Sequence, residues 1–295
     1  MPEQVNNCPL CGHGQASVFD RRDFRGYEVV NVLCKNCGLV YQTPRMTSAE
    51  LESFYQEKYR EIYQGSQGPN EQDLMIQNAR AKYLMSLIEE MGIEEISRYV
   101  DIGSSAGLLM EAVQNAYQCF VVGIEPGAAY RKYAEERGLK IYTDLNQLFE
   151  KEHQKFDLVS MIHVLEHIPH PVDYVMHLRS DLLNRNARLL IEVPNLYAHD
   201  CFEVAHLSSF SEATLTQVLK KAGYRILYIE RHGFPRSRLI PLYITALAEP
   251  DEARITHRDV NGERLVGLKR RTGFLHRRII ERLLPDQAWI PQYRS

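Results

Sequence analysis

From residue 97 onward the sequence alternates short apolar runs with amphipathic stretches, and few folds accommodate that order. Residues 98–103, 119–124, 139–142, 156–162, 187–193 and 224–230 read as strands. Residues 108–116, 128–137, 145–151, 171–183 and 212–222 read as the helices between them. Strand and helix alternating in this way, with no internal repeat, predict a mostly parallel α/β sheet covered on both faces. An apolar run at 239–248 is expected to complete that sheet as its antiparallel edge. Composition agrees: 44% of the 295 residues are apolar and 25% charged, the usage of a globular chain with room for about two domains.

Ligands of such sheets bind beyond the carboxyl ends of the strands. The first of those ends reads Asp101-Ile-Gly103-Ser-Ser105-Ala-Gly107. Gly103 permits the tight turn, and Gly107 lets the next helix begin close to a ligand. The second end carries Glu125-Pro126, an acid whose two oxygens suit two ribose hydroxyls, 22 residues beyond Gly103. Loop, acid and strand–helix order together point to a nucleoside cofactor.

These residues resemble the class I S-adenosylmethionine-dependent methyltransferases, whose first motif reads acid-x-Gly-x-Gly-x-Gly. Asp101, Gly103 and Gly107 match it, and Ser105 stands at the middle glycine. The resemblance implies a Rossmann-like, mostly parallel seven-stranded sheet and S-adenosyl-L-methionine as cofactor. It assigns Asp101 to the methionine ammonium and Glu125, with Pro126, to the ribose. Asp144, within Thr143-Asp144-Leu145, is assigned to the adenine, and Gly103, Ser105, Gly107 and His163 complete the cofactor set. Three further stretches are similar to a small-molecule subgroup: Phe156 to His167 followed by Pro169, Val193-Pro-Asn195, and His206-Leu-Ser-Ser-Phe210-Ser. The resemblance spans about residues 75–232.

A sulfonium methyl carries its own leaving group, so the enzyme mainly aligns acceptor, methyl and sulfur. An oxygen or carbon acceptor must also lose a proton. His163, Glu166 and His167 follow the fourth strand, and His199 and His206 follow the fifth, which makes these five the candidate catalytic residues. A structural role competes for each: Glu166 and His167 suit the bracing of a turn, and a lone histidine serves as a hydrogen-bonded core residue. Asp157 is expected to hold the strand end. No Asn-Pro-Pro-aromatic signature stands here, which argues against amino groups of bases as acceptors.

Ahead of the sheet, four of the six cysteines form two pairs, Cys8-Pro-Leu-Cys11 and Cys34-Lys-Asn-Cys37, with 22 residues between them and a glycine after each. The two-residue spacer lets both thiolates of a pair reach one tetrahedral zinc ion. The trailing glycine permits a positive φ that aims amide N–H groups at sulfur. Two disulfides or a redox pair are the alternative. Val29, Val30, Val32 and Leu33 beside Phe19, Phe24 and Tyr27 read as a hairpin. Residues 1–45 are therefore expected to form a zinc ribbon in which Cys8, Cys11, Cys34 and Cys37 hold a structural Zn2+. Metal binding would supply folding energy that so short a segment lacks.

Ribbon and sheet in this order are similar to the sugar C-methyltransferase-like bacterial group, through Cys34-Lys-Asn-Cys37-Gly-Leu-Val-Tyr41 to Pro44 and the string His163-Val-Leu-Glu-His167. That resemblance implies a small polar acceptor, namely a sugar, sugar nucleotide or glycan, in cell-surface polysaccharide or natural-product biosynthesis. One alternative is an RNA methyltransferase that grips RNA with ribbon and basic tail, as the large-subunit rRNA guanine enzymes use a zinc module. Another is a non-catalytic cofactor-binding or regulatory protein, suggested by Ser105. The net charge of −3 and the balance of Arg21, Arg22, Arg25 and Lys35 against Asp20, Asp23 and Glu28 count against RNA.

Between ribbon and sheet, residues 46–95 are expected to form a helical linker or lid, with helices at 48–63 and 70–91; Leu74, Ala81, Leu84, Leu87 and Ile88 share one side of the second. The methyltransferase domain is expected over 96–250 and a basic extension over 251–295. Within residues 264–282 of that extension Arg264, Lys269, Arg270, Arg271, Arg277, Arg278 and Arg282 stand against Glu281 alone, and Phe274, Leu275, Ile279, Leu283 and Leu284 are expected to share an apolar face. It reads as a solvated basic helix packed on the domain, or as a grip for RNA, an anionic substrate or an acidic membrane surface. No apolar run approaches the ~20 residues of a membrane span. The opening residues lack a signal-peptide pattern, so a cytoplasmic location is expected.

Overall fold

The structure, a computed structural model, describes residues 2–57, 68–251 and 261–293. The chain opens with a hairpin of β1 (Ala16–Phe24) and β2 (Tyr27–Cys34), followed by β3 (Val40–Gln42). Helices α1 (Ser48–Glu57) and α2 (Glu71–Glu90) come next. The helix expected at 48–63 is thus seen to Glu57, and its remainder lies outside the described residues. Asn70 caps α2 by accepting a hydrogen bond from the Asp73 amide.

The units that follow keep the expected order: β4 (Arg98–Ile102), α3 (Leu108–Tyr117), β5 (Phe120–Ile124), α4 (Ala128–Glu136), β6 (Ile141–Tyr142), α5 (Leu145–Lys151), β7 (Phe156–Ile162), α6 (Pro171–His177) and β8 (Leu183–Pro194). A two-residue strand β9 (Ser208–Ser209) precedes α7 (Glu212–Lys221), β10 (Tyr224–His232) and β11 (Tyr243–Pro250). The helix expected at 171–183 ends its regular turns at His177, and β8 starts earlier than expected. Ser211 and Thr214 cap α7 reciprocally.

Seven strands form the main sheet in the order β10-β11-β8-β7-β4-β5-β6. Period-two alternation decides which core each side chain joins. Val100, Ile102, Val122 and Ile124 face Val175 of α6 and Leu215 and Val218 of α7. Tyr99, Val121 and Leu158 face Leu84 and Ile88 of α2 and Met110 and Val113 of α3 on the other side. Asp157 holds the start of β4 as expected, its Oδ2 accepting from the Ser97 and Arg98 amides.

One expectation is corrected. The final apolar run is antiparallel but does not form the edge: β11 sits between β10 and β8. Its Tyr243 to Ala248 are all buried, whereas β10 exposes Arg225, Glu230 and Arg231, side chains that suit an edge. In the extension, helix α8 (Val266–Leu283) buries Val266 and Ile280, while Leu275, Ile279, Leu283 and Leu284 are exposed. Gly273 decides the facing: a Cβ there would lie 2.0 Å from the Tyr197 carbonyl oxygen, so this side approaches the loop after β8. A short helix α9 (Pro285–Ala288) follows.

The hairpin and β3 continue into the main body. β3 pairs with β9, Val40 opposite Ser209 and Tyr41 opposite Ser208. Leu10, Leu39 and Tyr41 share one core with Phe210, Leu215 and Val218.

Candidate active site and cysteine cluster

The chain runs outward from β4 through β5 to β6, then returns to β7 on the other side of β4, so a crevice opens beyond the carboxyl ends of β4 and β7. A cavity of about 580 Å³ lies there. At one end are Asp101, Gly103, Ser105, Glu125 and Pro126. Gly103 adopts φ +76°, and a Cβ on it would come within 2.4 Å of Val164 Cγ2, so only glycine makes this turn without displacement. Ser105 is also left-handed, at φ +50°. Its amide donates to Glu125 Oε2 at 3.0 Å, and the Gly127 amide donates to Oε1 at 2.8 Å. The acid after β5 is thereby fixed with both oxygens at the pocket wall. Asp101, fully buried, accepts from Ser160 Oγ. Burial pushes its carboxyl up to about 7, with Glu125 adding to the rise and the Ser160 hydrogen bond opposing it.

Two predicted cofactor residues stand back from the cavity. Gly107 begins α3 at φ +79°, where a Cβ would strike Leu139, so it serves close packing of helix on strand. Asp144 caps α5 by accepting from the Gln147 amide and does not line the cavity.

The other end gathers all five candidate catalytic residues, His163, Glu166, His167, His199 and His206. His167 Nδ1 is 2.9 Å from the Ala205 carbonyl, and His206 Nδ1 is 2.9 Å from the Cys201 carbonyl. A carbonyl only accepts, so each Nδ1 carries a proton, and Nε2 is the ring nitrogen left to face other groups. One ligand atom from each of Glu166, His167 and His206 lies within 4.8 Å of the others, a grouping that suits a shared proton or a cation. Neither Glu166 oxygen, both buried, has a hydrogen-bond partner among the described residues. Burial drives the His167 imidazole down to about 4 against the pull of Glu166. Glu166 itself is held at about 2: burial would raise it, but His163, His167 and His206 prevail.

His163 differs. At φ +57° it turns back so that Nε2 lies 3.0 Å from Glu192 Oε1 and Nδ1 lies 3.5 Å from Glu166 Oε1. Burial and Arg80 lower its pKa, yet the two carboxylates outweigh them and the net shift is upward. Glu192, fully buried, also takes Arg80 at 2.8 Å and accepts from Thr245 Oγ1 at 2.9 Å.

The description "Methyltransferase domain" fits a family model over residues 76–229, just over half of the chain. The chain belongs to the methyltransferase domain family. A curated relative of this chain is the ubiquinone biosynthesis O-methyltransferase of Hahella chejuensis (strain KCTC 2396), 30% identical over 98 residues. That match covers 31% of this chain and 41% of the relative, so less than half of the relative's length is spanned. Among solved structures, the plantazolicin methyltransferase BpumL in complex with SAH superposes with a TM-score of 0.51 at 13% identity, covering 68% of this chain and 94% of that one. The mitomycin 7-O-methyltransferase MmcR gives 0.50 at 18% identity, covering 68% and 60%. These likenesses concern the fold. Residues 76–229 of the chain form a methyltransferase domain.

Several residues of the methyltransferase pocket were absent from the expected set. Asp73, Gln77 and Arg80 of α2 line it, at spacings of four and three that put them on one helix face. Glu192, behind the cavity wall, is the one buried charge of β8 and holds the pocket's His163, a departure from the parallel-strand pattern that marks a site. Arg236 reaches the cavity from the connection between β10 and β11 and Tyr243 from the start of β11, and no local spacing announces them.

Away from the pocket, Cys8, Cys11, Cys34 and Cys37 place their Sγ atoms within 4.8 Å of one another. Cys8–Cys37 and Cys11–Cys34 are each 3.5 Å apart, too far for a disulfide and close to the ~3.8 Å edge of a tetrahedron with 2.3 Å metal–sulfur bonds. Gly12 and Gly38 take the expected positive φ, and the Leu39 amide donates toward Cys37 Sγ. The donors fit a Zn2+ ion.

Proposed function

We propose that this chain transfers the methyl group of S-adenosyl-L-methionine to a hydroxyl of a small polar acceptor, a sugar, sugar nucleotide or glycan. The reading rests above all on one observation: the buried Glu166 carboxylate and one ring nitrogen each of His167 and His206 lie within 4.8 Å of one another at one end of the cavity. The cofactor supplies an electrophilic methyl with its own leaving group. Asp101 would hold the methionine ammonium and Glu125 the two ribose hydroxyls, with Gly103, Ser105 and Pro126 shaping the cradle and His163 closing it toward the acceptor. As the acceptor oxygen bonds to carbon, its proton passes to Nε2 of His167, and Glu166 stabilises the imidazolium that forms. The curated relative is an O-methyltransferase, which supports oxygen as the atom.

The N-terminal cysteines would carry a structural Zn2+, with residues 1–45 as ribbon, 46–95 as a linker or lid, 96–250 as the catalytic domain and 251–295 as a basic extension. Among the described residues no helix is long and apolar enough to cross a membrane. Four cysteines kept reduced as metal ligands suit a reducing compartment, which supports a cytoplasmic location.

The test is transfer of labelled methyl from S-adenosylmethionine into a host-cell extract, separated into small molecules, polysaccharide, RNA and protein. Label in the small-molecule or glycan fraction is expected. Label confined to RNase-sensitive or protein material would refute the acceptor class.

A further inference from the structure

Helix α8 has two faces of opposite use. Inward, Arg270 donates to the Leu196 carbonyl, Arg277 donates to the Ala198 carbonyl at 3.1 Å, and Ile280 packs with Ala198 and Tyr243. These contacts hold the loop that carries His199 into the pocket. Outward, Leu268, Leu275, Ile279 and Leu283 recur at spacings of seven, four and four, which places them on one side of the helix. They are 56%, 57%, 47% and 69% exposed. Beside this stripe run Arg271, Arg278 and Arg282, all exposed and without an ion pair among the described residues.

We propose that the outer face of α8 docks in the interfacial zone of an anionic lipid bilayer. An exposed apolar row bordered by unpaired arginines matches the layering of acyl chains beneath phosphate headgroups, and the 18-residue helix would lie along it for about 27 Å. Other occupants match less well. A second copy seated on the same stripe would bring its arginines against these, and the helix's one acid, Glu281, is already paired with Arg277. An RNA backbone would engage the arginines but leave the four aliphatic side chains in water. Docking would set the pocket's His199 loop, held by the helix's inner face, close above the membrane. The surface does not depend on which acceptor is methylated.

The experiment is co-sedimentation of the full chain with vesicles of phosphatidylcholine alone, and with vesicles containing about a third phosphatidylglycerol, from low to physiological salt. Binding to the anionic vesicles that weakens with salt is expected, with little on the neutral ones. The double variant L275E/I279E and the double variant R278E/R282E should each lose at least tenfold in binding at an unchanged thermal midpoint. No vesicle binding by the wild type, or equal binding to neutral vesicles, overturns the proposal. So does a concentration-dependent dimer abolished by L275E/I279E with no vesicle binding. Retention of an RNA homopolymer that only R278E/R282E abolishes, again without vesicle binding, assigns the face to nucleic acid and overturns it equally.

Discussion

His167 donates its Nδ1 proton to the carbonyl oxygen of Ala205 at 2.9 Å, which leaves the Nε2 lone pair on the pocket side. Burial holds this imidazole down to about 4, so it is neutral and able to accept a proton throughout the physiological range. Replacing His167 by alanine is expected to lower the methyl-transfer rate by about 10²–10⁴-fold while leaving cofactor affinity within a factor of two. Rate assays with labelled cofactor, paired with calorimetric titration of S-adenosylmethionine, separate the two effects. A parallel loss of cofactor affinity would make His167 a support of the binding end instead.

Asp101 gives the cofactor end a pH dependence with a definite sign. Its carboxyl releases its proton near pH 7 in the folded chain, against an ordinary value of 3.8. Between those values the folded state binds more protons than the unfolded one, so this group's contribution to stability falls as pH rises from about 4 to 7. A bound ammonium favours the carboxylate, and binding should therefore expel a proton below pH 7. Affinity for S-adenosylmethionine is expected to rise up to tenfold per unit toward pH 7, then level before the cofactor's own amine, at about 8, loses its proton. Titrations in buffers of different ionisation enthalpy count the released proton. A flat acid limb in the wild type, or one that survives Asp101→Asn, removes Asp101 from ammonium binding.

Glu125 should contribute most to cofactor affinity because it acts twice. It is the acceptor for the Ser105 and Gly127 amides that shape the two turns, and its remaining lone pairs suit the ribose. Glu125→Ala is expected to cost about 2–4 kcal/mol of binding, from one to three orders of magnitude in affinity. Glu125→Gln, with one oxygen kept, should fall between. Unchanged affinity by calorimetry would sink the ribose assignment.

How much of this was legible beforehand follows from the range over which each feature is encoded. The order of β4 to α7 is local: period-two and period-3.6 patterns, a cap at Ser211 and breaks at glycine suffice to place it within a few residues. The loop after β4 and the acid after β5 were visible for the same reason. The position of β11 was not, because a strand's place in a sheet depends on its neighbours; the clue was that Tyr243 to Ala248 carries no charge while β10 carries several. On α8 the shared apolar face was readable, but which side packs inward was not, because Gly273 sets it by letting the helix reach the Tyr197 backbone. Asp73, Gln77 and Arg80 of α2 were readable as a polar stripe, but nothing local says that this stripe meets β4 across the pocket. Pairing of β3 with β9, some 170 residues apart, has no local signature.

That last pairing determines what metal removal should do. Were the cysteine segment a separate bead, chelation would melt it alone. Here Leu10, Leu39 and Tyr41 lie in one core with Leu215 and Val218 of α7, and Lys221 of α7 donates to the Leu10 carbonyl at 2.8 Å. Structural zinc in small cysteine sites contributes on the order of 10 kcal/mol of folding energy. Losing it should expose the underside of α7 and β9 as well as unravel the turns at Cys8 and Cys34. Cys34→Ser, or a strong chelator, is therefore expected to lower the thermal midpoint of the whole enzyme in one calorimetric transition, with cofactor binding lost in the same step. Metal analysis of the wild type should give about one zinc per chain. A fully stable, metal-free wild type would refute the site. Two separate transitions on chelation, with cofactor binding following only the later one, would show that the shared core does not couple the cysteine turns to the pocket.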